Sequence, residues 1–156
     1  MNTQSNVLDN ASPKATTPDR VLQTALAAWR QGNFVKVIDQ FNDQFIFTDH
    51  ALELEFKDKK RLKEFLAKVL ELFPDSERKL NTIICSGDRV ISEWTLTATH
   101  TEAFLGGHLR KVPISVRGVS VVQLKNEKIT QWSAYYVQLN SRHYSVATCF
   151  SEWIEL

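Results

Sequence analysis

Cysteine is scarce in this 156-residue chain: Cys85 and Cys149 stand alone, too far apart for a disulfide framework or a spaced set of metal ligands. Reduced thiols in the cytosol are the expectation. An excess of one charge is also lacking, with 19 Lys and Arg against 18 Asp and Glu and a formal net charge of +1. No nucleic-acid partner is therefore expected, since a dedicated binder carries a strongly basic face. The one basic cluster, Lys57, Lys59, Lys60, Arg61 and Lys63, opens a predicted helix and reads as a solvated surface. No apolar run approaches the ~20 residues that cross a bilayer. The opening MNTQSNVLDNASPKATT has no basic start followed by an apolar stretch, so no signal peptide is expected. No membrane partner and a cytoplasmic location follow as expectations. Also missing are a phosphate-binding glycine loop, a dinucleotide fingerprint and a serine in a sharp glycine turn. The four histidines, His50, His100, His108 and His143, show no ligand spacing. The reading is therefore of a chain with no metal and no cofactor.

What the chain does have is apolar material, 43% of residues with 10% aromatic, enough for one sizeable core. Residues 1–17 are polar and read as a disordered tail. Thr17-Pro18-Asp19 marks a helix start, and Val21, Leu22, Ala25, Leu26 and Trp29 recur at helical spacing until Gly32. A short second helix carries Phe34, Val37, Ile38 and Phe41 on one side, and 44–49 alternates as a strand. Asp58 caps a third helix with the stripe Leu62, Phe65, Leu66, Val69, Leu70 and Phe73, ended by Pro74. Beyond it the period falls to two, giving strands over 77–86, 89–104, 109–125 and 128–138. Their turns fall at Gly87-Asp88, Gly106-Gly107 and Lys125-Asn126-Glu127. Helices first and a long antiparallel meander second predict an α+β domain over 18–138. Residues 139–156 form an extension in which Val146, Phe150, Trp153 and Ile154 suit one capping helix or a docking surface on a second subunit.

A curved sheet covered by three short helices leaves a hollow, and such hollows commonly hold small molecules. Within this frame, EWTLTATHTEAFLG (93–106) and RGVSVVQLKNEKITQWSAYY (117–136) resemble the SnoaL-like polyketide cyclase branch of the nuclear-transport-factor-2-like superfamily. AAWRQGNFVKVIDQFNDQFIFTD (27–49) and the FPD at 73–75 fit the same pattern. The resemblance implies a cone-shaped barrel, a curved antiparallel sheet packed against N-terminal helices, and a homodimer. It also implies where chemistry should sit. The proton-abstracting Asp of the ketosteroid isomerase branch falls on Asp49, but that branch's two oxyanion-hole positions hold Ala25 and Ser120. The terminal acid of the cyclases falls on Val137 after Tyr135-Tyr136. The polar positions of the limonene-epoxide-hydrolase branch read Trp94, Leu96 and Val137. A methyl group or an isopropyl group transfers no proton, so none of the three mechanisms carries over whole.

Asp49 is the leading catalytic candidate. It shares a strand face with Phe45 and Phe47, where desolvation raises a carboxyl's pKa into the range of a general base. The plainer reading is a turn-capping aspartate. His100, on the period-two face of Trp94, Leu96 and Ala98, is the candidate proton partner, against a half-solvated histidine at a strand end. His50 is expected to point outward. Trp29, Phe45, Phe47, Trp94, Leu96, Ser120, Tyr135 and Val137 are the candidate cavity residues. The expected function is cofactor-free acid/base chemistry on a neutral, hydrophobic carbonyl metabolite: isomerisation, cyclisation or dehydration. The alternative is a non-catalytic ligand-binding or dimeric interaction module of the same fold.

Overall fold

The first helix is closed at both ends by its own sequence. In the computed structural model, which describes residues 17–103 and 109–137, α1 (Pro18–Arg30) begins with proline in its first turn. It ends in a Schellman motif: Gly32 N–H donates to the Trp29 carbonyl and Asn33 N–H to that of Ala28. Gly32 has φ 69°, a conformation few other residues accept. Thr17 holds the N-cap position, although its side chain makes no capping bond. Asn33 caps the short α2 (Phe34–Ile38) through Lys36 N–H, and Asp58 caps α3 (Lys59–Leu72) through Arg61 N–H.

Six strands follow the helices or thread between them: β1 (Phe41–Asp49), β2 (Leu54–Phe56), β3 (Glu77–Ser86), β4 (Arg89–Ala103), β5 (Leu109–Lys125) and β6 (Lys128–Tyr136). They form one curved, unclosed sheet in the order β2-β1-β6-β5-β4-β3. The long meander β3 to β6 matches the expected strands closely. The β5–β6 turn has positive φ at both Asn126 and Glu127, as a two-residue type I′ hairpin requires.

Three features differ from the sequence reading. Phe41 begins β1 instead of belonging to the second helix, because its neighbour Gln40 accepts a hydrogen bond from Ile129 N–H and Phe41 lies in register with Ile129. The three-residue β2 was not foreseen, being too short to show a period. The sheet is also not wholly antiparallel, since β1 lies parallel to β6. The Gly106-Gly107 turn, His108, His143, Cys149 and the proposed C-terminal helix lie outside the described residues, as does nearly all of the 1–17 tail.

The inner face of the sheet packs on α1 and α3. Val21, Leu22, Ala25 and Ala28 from α1 and Leu62, Phe65 and Leu66 from α3 meet Phe41, Phe45, Phe47, Val90, Val122 and Trp132. A β-bulge near Leu80–Thr82 shifts the phase of β3, and another at the β5–β6 pairing shifts that of β6, so that Ile129 and Trp132 are both buried in spite of their odd spacing. Ser92 and Ser120 face each other across β4 and β5, both fully buried.

Gly118 fixes the most consequential piece of packing. It pairs with Trp94 across β4 and β5, and its missing side chain lets the indole lie over the strand. The ring then reaches along β5 and donates its Nε1–H to Ser120 Oγ at 2.9 Å. A Cβ at position 118 would sit 2.5 Å from Cη2 of Trp94 and 2.8 Å from the Tyr135 carbonyl oxygen. Gly118→Ala is thus expected to cost about 1–3 kcal/mol through overpacking, read as a lowered urea midpoint with an altered tryptophan fluorescence spectrum; an unchanged midpoint would contradict this packing.

Candidate active site

Asp49 is the last residue of β1 and turns inward with Phe45 and Phe47, as their common parity requires. It is only 6% exposed. Oδ1 accepts hydrogen bonds from the amides of Ala51 and Leu52, at 3.1 and 3.0 Å. Oδ2 accepts one from the phenol of Tyr136 at 3.0 Å. The carboxylate therefore caps the turn into β2 and also faces the interior, so the two readings of this residue coexist. Burial raises its pKa above the ordinary 3.8, against the lowering effects of these three bonds and the nearby charge of Arg78. Burial likewise pushes the Tyr136 phenol well above its ordinary value, helped by the Asp49 charge.

Arg78 completes the group. It lies on β3 opposite Leu96, and its guanidinium stacks over the rings of Trp29 at 5.0 Å and Trp94 at 4.5 Å. Burial lowers its pKa to about 10, opposed by its electrostatic interactions with Tyr136 and Asp49, so it remains a cation at neutral pH. The two tryptophans are themselves held, Trp94 by Ser120 and Trp29 by donation to the Leu66 carbonyl at 3.1 Å. Among the described residues, the guanidinium of Arg78 has no hydrogen-bond or ion-pair partner.

These side chains enclose a chamber of about 60 Å³, whose walls include Phe47, Asp49, Arg78, Trp94, Trp132 and Tyr136. That is room for a few waters or one small functional group. Beside it opens a larger hollow of about 590 Å³ between α1, α3 and β3. Trp29, Val69, Phe73, Arg78 and Leu96 line both, so the wall between chamber and hollow is built around the arginine.

The sequence candidates separate accordingly. Asp49, Phe47 and Trp94 line the chamber, and Trp29 and Leu96 line chamber and hollow alike. Phe45 is buried one step away, edge-on to Phe41 at 5.1 Å. Ser120 stands behind Trp94 as its hydrogen-bond acceptor, outside the chamber lining. Tyr135 and Val137 point to the opposite face, 46% and 64% exposed. Tyr135 stacks there on the exposed His50 at 4.2 Å. The inward residue of that pair is Tyr136, which shares the parity of Trp132 and Ala134. His100 is half-buried with its ring 6.1 Å from Phe73 and is not part of the chamber lining, so the expected Asp49–His100 pair is replaced by Asp49–Tyr136. Arg78 was missed. Its signal was parity with Leu80 on a strand whose other face is polar. Among the described residues, no cluster of three His, Cys, Asp or Glu could hold a metal ion, and no helix is long and apolar enough to cross a membrane.

The sequence model of the SnoaL-like polyketide cyclase family matches residues 19–141. No curated protein matches the chain. Among solved structures, a SnoaL-like polyketide cyclase-type protein from Shewanella denitrificans OS-217 is similar at TM-score 0.67 and 11% identity, over 77% of this chain and 90% of that one. A protein of ketosteroid isomerase-like fold from Catenulispora acidiphila DSM 44928, in complex with trimethylamine, is similar at TM-score 0.66 and 18% identity, over 87% and 92%. An LEH-like epoxide hydrolase of M. tuberculosis gives TM-score 0.62 and 18% identity, over 80% and 86%. At these identities the likeness is one of fold.

The raised pKa of Asp49 has a consequence for stability. Between pH 3.8 and the raised folded value, the folded chain holds a proton that the unfolded chain has released. Stability contributed by this group is thus full below 3.8 and lost as pH rises through that window. Asp49→Asn keeps an oxygen for the two turn amides, and its NH₂ can donate to the Tyr136 oxygen. It is expected to flatten this fall and to be more stable than the parent at neutral pH, as seen in urea midpoints measured across pH. A variant less stable than the parent at every pH would show that capping outweighs charge burial.

Proposed function

Because the chain belongs to the SnoaL-like polyketide cyclase family, we propose that it is a small-molecule enzyme moving a proton beside a carbonyl group without a cofactor. Isomerisation, aldol-type cyclisation and dehydration all begin this way. The observation that supports this reading is the Asp49 carboxylate, buried in an aromatic chamber and raised toward neutral pKa by that burial. A base of this kind gains on protonation, because the neutral acid suits its surroundings better than the anion does. In the proposed step the ligand's C–H bond breaks, the proton passes to Asp49, and the electron pair shifts toward the carbonyl oxygen. Tyr136 and the Ala51 and Leu52 amides hold the carboxylate in place while this happens. The hollow of about 590 Å³ lies within the range of small-molecule sites and would hold the ligand's body.

One observation favours the alternative of a binding module without turnover: the positions matched to other family catalytic residues hold Ala25, Leu96 and Val137. A homodimer in the cytoplasm belongs to the same proposal. The exposed Ile46, Ile84, Ile91 and Tyr135 support an apolar contact surface.

Proton abstraction can be followed without knowing the natural substrate. In deuterated buffer the protein is expected to speed deuterium exchange beside the carbonyl of 2-tetralone, a flat ketone, as read by proton NMR. Asp49→Asn should slow that catalysed exchange by about 10²–10⁴-fold while leaving ketone binding intact. Equal exchange by the two proteins would remove Asp49 from the reaction and leave the binding module.

A further inference from the structure

Arg78 occupies an uncommon position for a cation. A guanidinium offers five N–H donors and no acceptor, and one that is half-buried, as Arg78 is, is ordinarily met by a carboxylate, by backbone carbonyls or by water. Here the group lies over the rings of Trp29 and Trp94. Its edge has no protein acceptor among the described residues. Asp49 and Tyr136 act on it only through space and donate to or accept from other groups. Glu77, its chain neighbour, is engaged by Arg30 at 2.8 Å on the exposed side. The two ring contacts thus hold the guanidinium in place while leaving its N–H donors for something else.

The surroundings say what that is. Arg78 lies in the wall shared by the chamber and the hollow. A ligand whose body lies against Leu26, Leu70, Leu80 and Leu96 meets the arginine where the hollow narrows. We propose that Arg78 is the anion-binding residue of this site and that the ligand is a flat, conjugated molecule presenting an oxygen anion to it. A carboxylate already present on the ligand and an enolate or phenolate oxygen share this chemistry. The planar fork of arginine suits either one. The proposal rests on the same chamber as the proton-transfer reading and deepens it: an enolate formed as Asp49 takes a proton has its oxygen beside a fixed positive charge. It also replaces the two oxyanion-hole groups that Ala25 and Ser120 do not supply. Binding of an anion also withdraws part of the attraction by which Arg78 lowers the Asp49 pKa, and so makes Asp49 a stronger base in the complex.

The test compares 2-naphthoate with the isosteric neutral 2-naphthamide, both followed by quenching of tryptophan fluorescence, and titrates 4-nitrophenol by absorbance in the presence of the protein. The parent is expected to bind naphthoate about tenfold or more tightly than naphthamide, or to bind nitrophenolate in preference to nitrophenol and so lower its apparent pKa. The first result identifies a carboxylate as the anion, the second an enolate or phenolate. Arg78→Met should abolish either preference while retaining naphthamide binding, which also shows that the variant is folded. Arg78→Lys should recover part of the preference. Equal binding of charged and neutral probes by the parent, failure of the parent to bind any of the probes, or a preference that survives Arg78→Met would overturn the proposal. Asp49→Asn separates the two readings. It should keep the anion preference even where it stops deuterium exchange, so either reading can fail alone.

Discussion

A carboxylate has been taken out of water at the end of a strand, and much of the surrounding structure is arranged to tolerate it. An ionised group in an apolar interior is among the most expensive features a small domain can carry. Asp49 is kept by two turn amides on one oxygen, a phenol on the other and a cation across the chamber. The compensation is incomplete, and burial still raises its pKa. The same hydrogen bonds have structural work as well. The amides of Ala51 and Leu52 belong to the turn that sends the chain into β2, and Tyr136 brings the end of β6 to the end of β1. Removing the charge while keeping the shape should therefore strengthen the fold and weaken whatever chemistry the charge performs, a common opposition between stability and activity.

The cation is positioned by a relay of small choices. Gly118 has no side chain, so the Trp94 ring can lie across β5; Ser120, two residues on, receives its N–H. Trp29 is pinned from the other side by the Leu66 carbonyl of α3. With both indoles fixed, Arg78 is held by their faces in place of a carboxylate. A salt-bridged arginine would have its charge satisfied. This one is oriented with its donors unspent, which is preorganisation of the kind that binding and catalysis use.

Much of this architecture was legible in the residues. Pro18, Gly32, Asp58 and Pro74 mark helix ends through backbone constraints that act locally, and the period-two runs of β3 to β6 are long enough to declare themselves. Asp49 was legible because it shares a face with Phe45 and Phe47. The parallel pairing of β1 with β6 was not, because strand partners some 85 residues apart leave no local trace. Tyr136 could have been found from the parity of Trp132 and Ala134; a resemblance to the Tyr-Tyr ending of relatives drew attention to Tyr135 and Val137 instead. Arg78 was hidden by its charge, since an arginine on a strand reads as solvent-facing until the two tryptophans that cover it, from α1 and β4, are brought together by the fold.

The proton inventory of the chamber narrows the proposed chemistry. Tyr136 is pushed further from ionising, so at neutral pH it donates a hydrogen bond and keeps its proton. Arg78, at about 10, also remains charged. Asp49 is therefore the chamber residue left to accept a proton, its pKa raised by burial, and on the proposed reading it must return the proton it takes. A single group that takes and returns a proton works on one face of the ligand, within the reach of one carboxylate. Shifts between neighbouring carbons and eliminations in which the leaving oxygen lies on the same side meet that condition. Reactions that need a second acid do not, because Tyr136 and Arg78 both keep their protons at neutral pH. The small chamber adds a second restriction: only the reacting head of the ligand fits beside Asp49, and its body must stay in the hollow behind Arg78. Selection by shape and by charge would then take place at the arginine, before the proton moves.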